Sequence, residues 1–154
     1  MDYAREAGLE AVYVTTCVGS VSSSTLRMAT CASPGDAAQS VRAFAGNREV
    51  LSLVGTLGPD GAHLHASLSD GEGAVVGGHL VAATVFTTAE VVVHEVVGAH
   101  FSRKLDARTG FGELVVTQAS GAAAGGEGGG GGGGGGGILA RLLSRAGVLA
   151  PGAR

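Results

Sequence analysis

The chain has 154 residues, 29 of them glycine and none tryptophan, with a formal net charge of −3. That length suits one domain with a true core rather than two. Residues 1–117 hold seven Lys/Arg against twelve Asp/Glu, a formal −5, while residues 118–154 hold three Arg against Glu127 alone, a formal +2; an acidic body is a poor match for a nucleic-acid backbone, whose binding rests on Lys and Arg.

In chain order, DYAREAGLEA predicts a short helix ending near Gly8. AVYVTTCVGS and STLRMAT predict two strands separated by a polar SVSS break, with Ser22, Ser23 and Ser24 as turn residues. Residues 31–47, with Pro34-Gly35-Asp36, carry no strong pattern and predict a connection. Strand signals then crowd together: EVLSLVGTL before the turn GPDG, AHLHASLS before DGEG, AVVGGHLV, and TVFTTAEVVVHEVV. SRKLDARTGFG reads as a polar loop and ELVVTQ as a closing strand. Short strands, tight turns and one early helix predict an α+β domain with largely antiparallel pairing.

Residues 1–117 form that domain, 118–137 a glycine-rich flexible linker and 138–154 a short basic amphipathic tail. The unbroken run Gly128–Gly137 has no side chains with which to build a core. Beyond it, Ile138, Leu139, Leu142 and Leu143 fall on one face of a predicted helix, with Arg141 and Arg145 on another. Cys17 and Cys31 lack metal-type spacing and predict reduced thiols. The start lacks a secretory pattern and no apolar run reaches the ~20 residues of a spanning helix, so the expectation is a soluble intracellular protein, in nucleus or cytoplasm.

Three of the five histidines lie in HLHASLSDGEGAVVGGH. His63 and His65 share a strand face, because residues i and i+2 point the same way. Loop parity decides whether His79 joins them. An odd loop, Asp70–Glu72 for example, places it with them; an even one, Asp70–Gly73, sends it across; a bulge at Gly77-Gly78 reverses either outcome. Converging imidazoles suit a divalent transition metal, zinc above others. The competing expectations are histidines bonded to backbone carbonyls or packed at an interface. Glu90, on the strand face of Val92 and His94, is expected to face solvent, pair with Arg103 or support a metal-bound histidine. His94 and His100 are expected on the surface.

No catalytic residue is assigned. GEGAVVGG sits in a hairpin rather than at a strand-to-helix turn, and the ten-glycine run lacks the Lys-Ser/Thr of a phosphate loop. The chain therefore reads as a non-enzyme.

Six segments in order, CVGSVSSSTLRMA, EVLSLVGTL, HLHASLSD, VVGGHL, TTAEVVV and FSRKLDARTGFGELVV, resemble the plants and prokaryotes conserved (PPC) domain over roughly residues 9–117. The form H-L-H…G-G-H resembles the prokaryotic-type branch. The resemblance implies an α+β fold assembling as a homotrimer, in a family described as DNA-binding. It also implies a metal at His63, His65 and His79, as some prokaryotic-type members carry one there. In the plant branch an Arg-Gly-Arg-Pro hook reads DNA and the domain mediates assembly; that tetrapeptide does not occur here. The expected role is thus an assembly or interaction module, associated with DNA or transcription through protein partners. The alternative is a metal- or small-ligand-binding protein using the three histidines, with room for metal-dependent catalytic activity. Family domains open with a strand and a longer helix, so the resemblance further implies that this chain starts partway into that helix, its first strand missing.

Overall fold

The computed structural model describes residues 2–30, 40–118, 141–144 and 148–149. The expected α+β class is overturned: among the described residues the only helix is α1 (Asp2–Glu6), of five residues, and the architecture is antiparallel β. α1 stops where expected. Gly8, at φ +64°, lets its own N–H donate to the Arg5 carbonyl (3.1 Å) and the Leu9 N–H donate to the Ala4 carbonyl (2.8 Å). So short a helix cannot cover a sheet face.

The strands are longer than the sequence suggested, because segments separated by polar or glycine residues fuse. β1 (Val12–Arg27) runs through the serine-rich stretch, β2 (Val41–Gly58) begins inside the expected connection, β3 (Gly61–Ser69) follows the GPDG turn, and β4 (Val75–Glu95) joins two expected strands. The serines do not turn the chain: Ser20 and Ser24 are buried and Ser23 is exposed within one strand, and Ser20 Oγ lies 2.9 Å from Thr87 Oγ1. Register shifts along β1 absorb the mismatch with its neighbours and bend the strand.

β1 pairs β2, β2 pairs β3, β3 pairs β4 and β4 pairs β1, so the ladder closes on itself. Inward-facing residues of β1, β3 and β4, with Leu53 of β2, fill the enclosed core. Val12, Val21, Leu26 and Leu68 are almost wholly buried, joined by Leu53, Leu64, Leu80, Val85 and Val93. Leu64, Ala66 and Leu68 of β3 point inward, which leaves His63 and His65 on the outer face.

β5 (Ala99–Leu105) and β6 (Gly112–Gln118) form a separate hairpin, so half of the expected polar loop is strand. The Phe101 N–H donates to the Glu10 carbonyl (2.9 Å), and the Arg103 N–H donates to the Asp60 carboxylate (3.0 Å). Gly58 permits the approach, since a Cβ there would strike the Phe101 carbonyl.

Arg141–Ser144 (β7) and Val148–Leu149 (β8) pair with β4, where leucine spacing suggested a helix. Past His79, where the pairing with β3 ends, β4 pairs through residues 83–84 with β8 and through 90–93 with β7. Cys17 is a free, buried thiol, whose pKa burial raises; Cys31 lies outside the described residues, as does the expected linker from residue 119 on, its first residue Gln118 ending β6 instead. No helix among the described residues is long and apolar enough to cross a membrane.

Candidate metal centre

The loop parity left open by the sequence resolves as odd. Ser69 pairs Val75, so five residues, Asp70–Ala74, form the loop and His79 pairs directly with His65. Asp70 builds this turn. Its carboxylate accepts from the backbone N–H groups of Glu72 (3.1 Å) and Ala74 (2.9 Å), and from Arg48 Nη1 (3.3 Å). These contacts, the Ala74 amide first, hold the carboxyl below the usual range. Gly73 supplies the positive φ (+84°) that closes the loop.

No bulge intervenes at Gly77-Gly78, and His63, His65 and His79 therefore share one face. Ring centroids are 5.2 Å apart for His63 and His65, 4.9 Å for His63 and His79, and 5.5 Å for His65 and His79. One ring nitrogen from each lies within 4.8 Å of the others, and His63 Nε2 lies 3.2 Å from His65 Nε2. Two nitrogens on a tetrahedral zinc, each at ~2.0–2.1 Å, are separated by about 3.3 Å. The His63–His65 pair already has that spacing.

The register also explains what surrounds the triad. Val54 pairs His65, His65 pairs His79, and His79 pairs Arg27, making one row across four strands; Thr56 beside His63 begins the next. Gly55 and Gly78 let the chains approach this closely. Gly55 sits at φ +144°, where a Cβ would collide with the His63 carbonyl, and a Cβ on Gly78 would lie 2.7 Å from the Arg27 carbonyl.

The electrostatics favour the neutral form of two of the imidazoles, His63 and His79. His79 is pushed down to about 4, first by burial and then by the charge of Arg27, with His63, His65 and Arg103 adding to it. His63 is also lowered, by burial and then by Arg103, against an opposing pull from Glu113. A neutral ring is the form that ligates a metal. His79 Nδ1 is moreover buried and without a hydrogen-bond partner. A buried ring nitrogen without a partner is costly in a protein. The donor set therefore fits a divalent ion.

The other sequence candidates lie elsewhere. Glu90 is exposed opposite Val18, whereas Arg103 donates to Thr56 Oγ1 (3.1 Å) and the Gly112 carbonyl (3.1 Å). His94 Nδ1 lies 2.8 Å from Thr15 Oγ1 and its ring tilts against Tyr13. His100 approaches Glu10 at 3.5 Å. Arg27, Thr56 and Glu113 were not singled out from sequence, because their place depends on a register that sequence alone does not supply.

The model of the Plants and Prokaryotes Conserved (PCC) domain, the PPC domain of the sequence comparison, matches residues 1–97. The bifunctional protein GlmU of a Synechococcus strain is 40% identical over 119 residues, which are 77% of this chain and 18% of that protein. The chain thus spans under a fifth of that curated relative. A hypothetical protein from Salmonella enterica superposes with TM-score 0.67 at 34% identity, covering 76% of this chain and 80% of its own. A metal-containing protein from Archaeoglobus fulgidus gives 0.58 at 26%, covering 74% and 80%. A structure from Bacteroides thetaiotaomicron whose name suggests DNA binding shares the fold, with TM-score 0.61 at 21% identity over 74% of this chain and 78% of its own.

Proposed function

The chain belongs to the Plants and Prokaryotes Conserved domain family, and from that premise we propose that it is a metal-binding assembly module whose His63, His65 and His79 hold one divalent ion, zinc above others. The convergence of three imidazoles on one sheet face carries this reading. It is supported by the unpartnered His79 Nδ1, by the depressed pKa values of His63 and His79, and by a relative described as metal-containing. The ion would supply Lewis acidity and a fixed positive charge when bound. The protein's part is to hold the His63 and His79 rings neutral and to orient all three through the β3–β4 register. No catalytic residue is assigned, and the role is binding and assembly rather than turnover.

The same module is proposed to assemble as a homotrimer. Several large apolar side chains are exposed on the single chain, Val97 (76%), Leu105 (77%) and Val116 (58%) among them, and assembly would give them a surface to cover. Any association with DNA is proposed to run through protein partners, given the acidic body of residues 1–117.

Native mass spectrometry of the full chain beside His65→Ala tests both parts. A trimer with one zinc per chain, lost in the variant, is the expected result. A metal-free trimer refutes the metal reading and a zinc-loaded monomer the assembly reading. Steeply salt-dependent binding to AT-rich duplex would refute the indirect route to DNA.

A further inference from the structure

Beside the triad lies a pocket of about 250 Å³, lined by Val54, Gly55, Thr56, His63, His65, Arg103, Glu113 and Leu114. We propose that this pocket binds a small organic carboxylate with an apolar body, anchored by the Arg103 guanidinium. The proposal rests on the metal reading, since an ion at the triad would add to the positive charge that draws the carboxylate in.

Arg103 is positioned for the task. Its backbone is tied to Asp60, Nη1 donates to the Gly112 carbonyl and Nη2 to Thr56 Oγ1. Those two side-chain bonds use two of five N–H donors, leaving the others for an anion. A guanidinium fork held by neutral oxygens keeps its full charge, and planar carboxylates match it in two-point pairing. Arg27 stands on the far side of the triad, opposite His79, with its guanidinium 5.0 Å from the Phe111 ring centre. Two arginines thus flank three imidazoles, with Glu113 the only carboxylate among the pocket residues.

The remaining walls decide between anions. Val54 and Leu114 are apolar and both partly exposed to the pocket side, at 51% and 39%. Inorganic phosphate would leave them unmatched, whereas a branched aliphatic acid would cover them. The volume is below the range of drug-sized sites and fits a small metabolite. Glu113 Oε1 accepts from Thr109 Oγ1 (2.9 Å), so one oxygen of the pocket's carboxylate is already engaged.

The experiment is an amide NMR titration of the zinc-treated full chain with isobutyrate, isobutyramide and inorganic phosphate, zinc uptake being read separately by native mass. Isobutyrate is expected to move the Gly55, Thr56 and Arg103 amides saturably. The uncharged amide of the same shape, and phosphate, are expected to bind at least tenfold more weakly, and Arg103→Gln to weaken isobutyrate by a similar factor. Equal binding of isobutyrate and isobutyramide, tighter binding of phosphate, or no response at those amides would overturn the proposal, even if the variant failed to fold. Absence of zinc uptake would refute the metal reading by itself, while the carboxylate preference would still be read from the same spectra.

Discussion

Replacing His79 by leucine separates the cost of the site from its use. The side chains are similar in size, so cavity and overpacking effects are small. In the metal-free protein the substitution removes a buried nitrogen that has no partner. Such an atom costs ~1–3 kcal/mol, and because the ring is only half-buried the lower end applies, about 1 kcal/mol. For a domain of this size that is a rise in Tm of roughly 4 °C. Zinc reverses the order. At a free concentration of about 100 times Kd a ligand of the native state adds ~2.7 kcal/mol, a gain the wild type keeps and a two-histidine variant largely forfeits. Thermal unfolding by circular dichroism, with chelator and with zinc, should therefore show the two curves exchanging places. If His79→Leu is less stable than wild type in chelator, the nitrogen is not a burden; if zinc stabilises both equally, His79 is not a ligand.

The depressed His79 pKa gives a pH dependence. The unfolded ring gains its proton near 6.5 while the folded ring resists until about 4, so metal-free stability should fall as pH drops through that window and be level above it. Urea titrations between pH 4 and 8 check this, and in His79→Leu that part of the slope should shrink. Gly55→Ala should destabilise by more than ~2 kcal/mol, since its backbone conformation is strained for alanine and the methyl meets the His63 carbonyl; a denaturation midpoint near wild type would contradict the register at the triad. Leu26→Ala, at a fully buried position, should cost ~2–5 kcal/mol by the same assay without changing zinc stoichiometry. Asp70→Ala should weaken zinc binding without abolishing it, because the loop that sets the His65–His79 pairing loses three hydrogen bonds to its carboxylate; unchanged affinity by calorimetry would show that the register holds without them.

Period-two patterning made β3 legible nearly to the residue, and His63 and His65 were placed on one face by it. The third histidine was not legible, since DGEG admits odd and even loops and only Asp70 capping the Ala74 amide selects five residues. Ser22–Ser24 read as a break because serine favours turns locally, yet two closed edges give β1 enough pairing partners to override that preference. The α+β class failed for a related reason. DYARE has a helical signal and a proper stop at Gly8, but sequence says little about how far a helix extends or whether it packs. Arg27 became visible as a neighbour of His79 only through the β1–β4 ladder, which joins residues far apart in the chain.

That closed ladder has a kinetic consequence. β2, β3 and β4 are joined by tight turns and can pair as soon as they meet, whereas β1 must find β4 across the whole intervening segment, as Val12 does with Glu95. Loop-closure entropy makes the second event the slow one. The three histidines are therefore gathered by the early meander, and Arg27 arrives with the strand that completes the circuit. Substitutions in β3 should slow folding, while those confined to β1 should chiefly hasten unfolding. A chevron series giving the reverse would place closure first. In time order, the three imidazoles come together before the charge that stands beside them.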